Sequence, residues 1–415
     1  MKKLGLLLAL CLCFCYGISA VSEDGGLSIA VATDMHYLSP ELVEGGELIQ
    51  EVALNGDGKM MHLSGEIVDA FLGEMEAAKP DYLILSGDLT LNGGSQSHKD
   101  FAEKLRQLEK SGSSVLVIPG NHDVDGEYAV YYKDSGAEKA PALSSDEFVK
   151  LYADFGPDLS VSGDGQTFSY TVDTGAGLRI IMLDANCYGK GFIKEPTLLW
   201  LEKELQAAEA AGDKVITVSH QNLYAHNRML SFGYQLYNGK ALQPLLEEYG
   251  VLCNLSGHIH TQSIVAGVVP EIATSSLCVA PAQYGLIEFS GDAVSYSTKE
   301  TDVAAWAESL GYEESRLLDF AAYGEKFFMD NCRRQVAEMF AGSELSEEET
   351  GLLQESFARL NLDYFAGRQT ELEDIAEGLE LWSKQERGFM QMYIEAMAAV
   401  EKDSRTCVIA MAEGE

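Results

Sequence analysis

The chain contains five short runs of β-branched and leucine-rich residues, and each run ends at a cluster of His, Asp or Asn. The runs are Leu27 to Thr33, Tyr82 to Ser86, Ser114 to Pro119, Val215 to Ser219 and Val251 to Ser256. Runs of this length and composition are typical of buried strands in α/β proteins. Because ligands in such proteins gather beyond the carboxyl ends of the strands, the pattern predicts an α/β fold with its functional site at that edge.

The polar clusters contain five of the eight histidines. They are Asp34-Met35-His36, Gly87-Asp88, Gly120-Asn121-His122-Asp123, Ser219-His220 and Gly257-His258-Ile259-His260. A single Asp, Asn or His in such a place is more often a turn former, a helix cap or a satisfied polar group. The recurrence of the pattern at five strand ends instead indicates that these side chains converge on one metal site.

In this order the clusters resemble the calcineurin-like metallophosphoesterase superfamily, whose pattern is D-x-H, G-D, G-N-H-[DE], H and G-H-x-H, over roughly residues 27 to 298. The resemblance implies an α/β fold of the four-layer αββα sandwich type. It implies two divalent metal ions, the first held by Asp34, His36, Asp88 and His260, and the second by Asp88, Asn121, His220 and His258. Mixed imidazole and carboxylate ligation favours Mn, Fe or Zn over Mg²⁺ or Ca²⁺.

Two residues carry the catalytic roles that the resemblance implies. Asp88 would bridge the ions, because a charged bridging ligand offsets the repulsion between two close cations. His122 would lie beside them and protonate the leaving oxygen or stabilise the transition state. Related phosphatases with a G-D-x-x-D stretch orient this histidine with an Asp, but Leu91 stands there in this chain, so the dyad is predicted to be absent. Neither Asn92 nor Asp123 can be assumed to replace that Asp.

The implied function is a secreted, metal-dependent phosphoesterase that hydrolyses a soluble organic phosphate monoester or diester by attack of a metal-bridging hydroxide. The Gly87-Asp88-Leu89-Thr90 and Gly257-His258-Ile259-His260 stretches resemble the cyclic-nucleotide phosphodiesterase-like branch most. Nucleotidase, phospholipid-headgroup and sphingomyelinase-like activities stay open, because branch similarity says little about substrate. The alternative is a non-catalytic or weakly active binding protein whose helical tail engages a partner or the cell envelope, although all seven candidate ligands are present.

The net charge of −36 argues against binding a nucleic acid polymer or an anionic membrane surface. The partner that the sequence indicates is therefore a small-molecule phosphoester; no protein partner is indicated.

Residues 1–20 read as a signal peptide, which predicts export. Acylation of Cys11, Cys13 or Cys15 would make the protein a lipoprotein and provide its one route to a membrane. Five further cysteines lack the CxxC spacing of metal sites and are predicted to be free buried thiols, although one disulfide bridge between two of them stays open.

Three segments are predicted along the chain: the signal peptide, a metallophosphoesterase domain over 21–299 and a C-terminal helical domain over 300–415. Helices are expected at 64–78, 96–111, 196–211 and 239–249, and residues 277–298 are expected to form two or three strands that close a second sheet. Beyond 300 the periodicity predicts three to four helices, with a capping box at Ser346 and Glu349. Residues 124–160 are either surface decoration or a substrate loop, and His98 is a candidate substrate contact.

Overall fold

The computed structural model describes residues 26–291, 293–386, 388–400 and 402–410. The predicted signal peptide and the three cysteines within it lie outside these residues. The strands of the described part are β1 (Leu27–Ala32), β2 (Tyr82–Leu85), β3 (Ser114–Val117), β4 (Val130–Lys133), β5 (Gly136–Lys139), β6 (Ser162–Gly163), β7 (Tyr170–Asp173), β8 (Leu178–Leu183), β9 (Lys214–Ser219), β10 (Cys253–Ser256), β11 (Ser263–Ala266), β12 (Pro270–Ala273), β13 (Gln283–Phe289), β14 (Ala293–Glu300) and β15 (Thr406–Ala410).

The helices surround these strands and dominate the C-terminal part. They are α1 (Glu47–Leu54), α2 (Ser64–Ala78), α3 (Ser95–Glu109), α4 (Ser145–Leu151), α5 (Glu195–Ala211), α6 (Gly239–Glu248), α7 (Val303–Leu310), α8 (Ser315–Leu318), α9 (Phe320–Met339), α10 (Glu347–Phe365), α11 (Ala376–Ser383) and α12 (Phe389–Ala398). Short 3₁₀ turns lie at Pro40–Leu42, Met61–Leu63, Pro157–Leu159 and Leu372–Ile375. The four helices predicted in the first 260 residues are α2, α3, α5 and α6, and all four predictions are confirmed.

Two sheets carry the five predicted strand runs. The first has the order β15-β14-β13-β1-β2-β3 and the second β11-β12-β10-β9-β8-β7-β6. β1, β2 and β3 are parallel neighbours, as are β9 and β10, so their carboxyl ends point to a common edge. The strands predicted at 277–298 do not close a second sheet, and that expectation was wrong. β13 instead pairs antiparallel with β1, whose other edge is occupied by β2, and β14 pairs with β13.

Side-chain alternation along the strands explains the layers. In β8, Ile180 and Met182 belong to the core that also contains the first sheet, whereas Ile181 and Leu183 pack with α5 and α6 on the other face. Such alternation follows from the two-residue repeat of a strand. On the first sheet, Phe71 of α2 contacts Tyr284 of β13, with ring centroids 5.1 Å apart. The result is the predicted four-layer αββα sandwich.

Within the described residues, the part of the chain beyond 300 is mainly helical, as predicted, but it contains more than the predicted three to four helices and also a strand. Six helices, α7 to α12, occupy it, and the capping box of Ser346 and Glu349 is present at the start of α10. β15 was missed by the sequence reasoning: it returns to pair antiparallel with β14 at the edge of the first sheet. Its residues alternate between exposed and half-buried because it lies at a sheet edge. Such a strand leaves only a weak hydrophobic pattern in a sequence that is otherwise typical of helices.

The cysteine prediction is confirmed within the described residues. Cys187, Cys253, Cys278, Cys332 and Cys407 are all free, and four of them are buried. Burial raises the pKa of Cys253 and of Cys278 to about 12, so both thiols stay protonated. Among the helices of the described segments, we find none with the length and apolarity needed to cross a bilayer.

Candidate metal centre

The site is built on backbone turns directly after the strands. Five residues that are not glycine adopt left-handed φ angles there: Asp34 (51°), His36 (44°), Asp88 (49°), His258 (70°) and His260 (59°). Such angles are uncommon for residues with a Cβ and mark places where the tertiary structure holds the backbone. Because the chain turns at these points, residues two apart converge on one centre instead of facing opposite sides of a strand.

Two motif glycines permit the close approach of these turns. A Cβ added to Gly120 would collide with the carboxylate and the backbone nitrogen of Asp88. One added to Gly257 would collide with Thr33 and the carboxylate of Asp34. The glycines in G-N-H and G-H-x-H are therefore required, because the neighbouring loops leave no space for a side chain at these positions.

The first donor group consists of Asp34, His36, Asp88 and His260, whose candidate ligand atoms all lie within 4.8 Å of one another. The Nε2 atoms of His36 and His260 are 3.2 Å apart. His260 Nε2 is 3.1 Å from Asp34 Oδ1. These four residues come from three loops of the two sheets, and they are the four that the sequence analysis assigned to the first ion.

The second donor group shares Asp88 with the first. Asp88, His220 and His258 also place ligand atoms within 4.8 Å of one another. His220 Nε2 is 3.4 Å from Asp88 Oδ1 and 3.1 Å from Asn121 Oδ1. The structure thus brings all seven predicted side chains to one place, with Asp88 between the two groups.

Hydrogen bonds at the outer ring nitrogens orient two of the imidazoles. His220 Nδ1 donates to the carbonyl of Ser86 (2.9 Å), which leaves the Nε2 lone pair directed at Asp88 and Asn121. His258 Nε2 donates to the carbonyl of Gly233 (2.9 Å), which leaves Nδ1 as its ligand atom. A hydrogen bond of this kind at the second nitrogen fixes the tautomer of a metal-binding histidine.

The chemistry of the donor set fits divalent metal ions. Asp34 Oδ1 is buried without a hydrogen-bond partner, although buried polar atoms are normally paired. Asn121 Oδ1 faces His220 Nε2, so two acceptor atoms point at each other when the imidazole is neutral. A cation between such atoms removes the repulsion. Nitrogen and oxygen donors in this mixture suit Mn, Fe or Zn.

The charges at the site also favour cations. Burial by itself would raise the pKa of both Asp34 and Asp88, but His260 and His220, respectively, hold these pKa values well below their usual range. Burial opposes protonation of His220, yet Asp88 raises the pKa of His220 to about 9. Both carboxylates are therefore ionised and attract positive charge, which a protonated imidazole or a metal ion can supply.

Comparison with known proteins agrees with this geometry. The model of the calcineurin-like phosphoesterase family matches residues 27–262, which is more than half of the chain. The chain belongs to the calcineurin-like phosphoesterase family. A second model, the C-terminal domain of cyclic nucleotide phosphodiesterase, matches residues 302–404.

Two curated relatives of this calcineurin-like phosphoesterase are similar over about half of its length. One is the 3',5'-cyclic adenosine monophosphate phosphodiesterase CpdA of Vibrio vulnificus, 26% identical over 48% of this chain and 62% of the relative. The other is the probable glycerophosphodiester phosphodiesterase GpdQ of Arcobacter nitrofigilis, 30% identical over 45% of this chain and 58% of the relative. The chain thus spans about three fifths of the relatives' length. A solved dimetal phosphatase from Danio rerio has a TM-score of 0.49 at 13% identity, covering 66% of this chain and 96% of that one.

The orienting partner of His122 in this calcineurin-like phosphoesterase is Asn92. His122 Nδ1 lies 3.2 Å from Asn92 Oδ1, and His122 Nε2 lies 4.0 Å from Asp88 Oδ2. Leu91, at the position of the missing acid, is buried in the apolar core. The sequence analysis left open whether Asn92 serves this histidine, and the contact shows that its amide oxygen faces the ring.

We expect Asn92→Leu to lower kcat by roughly 10- to 100-fold, the usual effect of losing a partner that orients a functional histidine. KM and metal content should stay unchanged, because within the described residues we find a hydrogen-bond contact of the Asn92 side chain with His122 and none with the donor groups. Asn92→Asp keeps an acceptor oxygen and serves as the matched control. Steady-state kinetics with metal analysis checks this, and an unchanged kcat in Asn92→Leu would contradict the positioning role.

Asp123 joins the loop that carries Asp88 to the loop that carries Asn121 by hydrogen bonds. Its carboxylate accepts hydrogen bonds from the backbone nitrogens of Leu89 (3.0 Å), Thr90 (2.9 Å) and Gly120 (2.8 Å). The sequence analysis gave this residue no role, although its place at the end of the G-N-H-D motif was the available signal. Its function is to lock two ligand loops together inside the core.

Two of the remaining histidines, His98 and His226, are structural. His98 is fully buried, donates from Nε2 to the carbonyl of Asp123 and accepts at Nδ1 from the hydroxyl of Tyr152 (2.9 Å), so the expectation of a substrate contact was wrong. The side chain of His226 is completely buried against Glu271 (3.1 Å). Both ring nitrogens of His98, and Nε2 of His226, have partners within the fold.

A cavity of about 390 Å³ opens beside Asn121 and His258. Residues 124–128 line it, as do Lys190 and Tyr237. The start of the 124–160 segment therefore reaches the site, as a substrate loop would. The rest of this segment forms the β4–β5 hairpin and α4, and Phe148 is fully buried, so that part belongs to the fold.

Proposed function

We propose that this protein is a metal-dependent phosphodiesterase that hydrolyses a small soluble phosphodiester, with a cyclic nucleotide as the first candidate substrate. The observation that carries the proposal is the pair of donor groups sharing the single carboxylate Asp88. One carboxylate common to two nitrogen-rich groups is the arrangement that two closely spaced metal ions require. The two relatives, a cyclic AMP phosphodiesterase and a probable glycerophosphodiester phosphodiesterase, support the choice of a diester.

Different residues would bind the metal ions and transfer the proton. Asp34, His36, Asp88 and His260 would hold one ion, and Asp88, Asn121, His220 and His258 the other. When bound, the ions would lower the pKa of a water molecule and neutralise phosphoryl oxygens. His122, whose Nε2 faces Asp88, would supply a proton to the leaving oxygen. The acidic chain as a whole repels anionic substrates, so this local concentration of cations is needed for binding.

The cavity beside Asn121 would receive the part of the substrate that is not phosphate. Tyr128 and Tyr237 line it and are 74% and 60% exposed, so both rings are accessible to a bound group. Exposed aromatic faces of this kind stack on nucleobases. The match of residues 302–404 to the C-terminal domain of cyclic nucleotide phosphodiesterase supports the same substrate class.

The test is turnover of bis-p-nitrophenyl phosphate, p-nitrophenyl phosphate and 3',5'-cyclic AMP by protein loaded with Mn²⁺. We expect the diesters to be hydrolysed faster than the monoester, and chelation to abolish turnover reversibly. Metal analysis should give two ions per chain. Absence of turnover on all three substrates at full metal loading would favour the alternative, a binding protein with this fold, and would sink the proposal.

A further inference from the structure

The C-terminal part of the chain contacts the metal-site loops at Gln262, two residues beyond the candidate ligand His260. Gln262 N donates to the carbonyl of Phe365 at the end of α10 (2.9 Å), and Gln262 Nε2 donates to the carbonyl of Ser404 (2.8 Å). Gln262 Oε1 accepts from the hydroxyl of Tyr296 on β14 (2.8 Å), and the residue is 2% exposed. These hydrogen bonds join the turn that carries His260 to two separate stretches of the C-terminal part.

Gly367 lets the chain after α10 pass close to Gln262. It has a φ of 70°, and a Cβ added to it would lie 2.6 Å from Gln262 Cγ and 3.0 Å from the carbonyl oxygen of Gln262. The carbonyl of Gly367 accepts from the backbone nitrogen of Ser404 (2.8 Å). The two segments are therefore in direct contact, and no space remains between them for a side chain at position 367.

The turn between β10 and β11 depends on contacts at both of its ends. His258 and His260 have left-handed φ angles of 70° and 59°, which are unfavourable unless the surrounding structure fixes them. Before the turn, Gly257 N donates to the carbonyl of His220 (3.1 Å). After the turn, Gln262 provides an anchor through its partners in the C-terminal part. A looser anchor there would let the imidazole of His260 move away from the first donor group.

The C-terminal helices also pack against the segment that orients His258. Met229 and Leu230 pack against the apolar core to which α9 and α10 contribute. The same segment continues to Gly233, whose carbonyl accepts the hydrogen bond from His258 Nε2 (2.9 Å). Each histidine of the G-H-x-H motif is thus linked to the C-terminal helices through a neighbouring segment.

We propose that Gln262 is a positioning residue, through which the C-terminal part holds His260 in the geometry that binds the first ion. This inference rests on the proposed function in one respect, namely that the donor groups bind metal ions. Loss of the contact should weaken the first ion more than the second, because Gln262 is two residues from His260 and four from His258. The C-terminal helices would then act on the metal centre without contributing a ligand to it.

The test compares Gly367→Ala with Gly342→Ala in the full chain and measures Mn²⁺ binding by calorimetry. Both glycines have left-handed φ angles, 70° and 78°, so alanine is strained at both positions. A Cβ at Gly342 would meet no atom within 4 Å, whereas one at Gly367 would press on Gln262. We expect both variants to unfold at lower denaturant concentration than the wild type. Only Gly367→Ala should bind the first ion about 10-fold more weakly, the lower end of the usual effect of disturbing a residue that supports a metal ligand.

Gln262→Met tests the same contact from the other side. Methionine keeps the length of the side chain and the backbone hydrogen bond to Phe365, but it loses the side-chain hydrogen bonds to Ser404 and Tyr296. The first ion should again bind about 10-fold more weakly. At limiting Mn²⁺ kcat should fall, at saturating Mn²⁺ it should recover, and KM should stay unchanged. A loss of stability alone would not produce this dependence of kcat on Mn²⁺.

Wild-type affinity for both ions in Gly367→Ala and Gln262→Met would overturn the inference. Equal weakening in Gly342→Ala would also overturn it, because strain in the helices would then suffice without the contact. Where Gly367→Ala does not fold, Gln262→Met alone decides. If the wild type hydrolyses no phosphoester but its Mn²⁺ affinity still depends on Gly367 and Gln262, the proposed function fails and the positioning role stands.

Discussion

Replacing Asp88 with Asn is expected to lower kcat for the diester by about 10³-fold and to reduce bound metal from two ions to one. Two unit charges 4 Å apart interact by about 4 kcal/mol at an effective dielectric constant of 20. Two divalent ions therefore repel by about four times as much, and a neutral amide cannot offset that repulsion. The amide would also lose one acceptor oxygen. The backbone nitrogen of His122 now donates to Asp88 Oδ1 (2.8 Å), so the loop that carries Asn121 would be held less firmly.

The measurements are metal stoichiometry and single-turnover kinetics on the folded variant. Asp158→Asn, which removes one carboxylate charge at an exposed position, is the matched control and should behave as wild type. The melting temperature separates loss of metal from loss of fold. Full activity with two bound ions in Asp88→Asn would contradict both the bridging role and the proposed function.

Gly120→Ala should lower both the stability and the metal affinity of the protein. A Cβ there would collide with the backbone nitrogen as well as the carboxylate of Asp88, and the backbone cannot move without displacing β2 and its loop. Overpacking typically costs 1–3 kcal/mol, and we expect about 3 kcal/mol at this site because the obstructing atoms are main-chain. Any relief of the clash would separate Asp88 from Asn121, so metal affinity should fall together with stability.

Gly65→Ala provides the matched control for this substitution. Gly65 lies near the start of α2, and a Cβ added there would have no atom within 4 Å. Alanine in a helix is favoured over glycine by about 0.5–1 kcal/mol, so Gly65→Ala should stabilise the protein slightly and leave metal binding unchanged. Chemical denaturation and metal titration of both variants make the comparison. Wild-type stability and metal affinity in Gly120→Ala would show that the two loops are not in tight contact.

Local sequence determined the strands, most helices and the candidate ligands of this protein. Runs such as Leu27 to Thr33 form strands because β-branched and leucine side chains favour a buried sheet. The capping box at Ser346 forms because its partners are three residues apart. The ordered clusters after the strands could be assigned to one site because parallel strands deliver their carboxyl ends to a common edge.

Contacts between distant segments were decided by the tertiary structure alone. The pairing of β13 with β1 depends on which strand edge is free, and β15 pairs with β14 because the chain returns to the first sheet after the helical part. The contact of Asn92 with His122 and the bridge between Lys59 and Val279 join residues separated by 30 to more than 200 positions. Hydrophobic periodicity records which face of an element is buried, whereas these contacts depend on the packing of whole elements against each other, which no short stretch of sequence encodes.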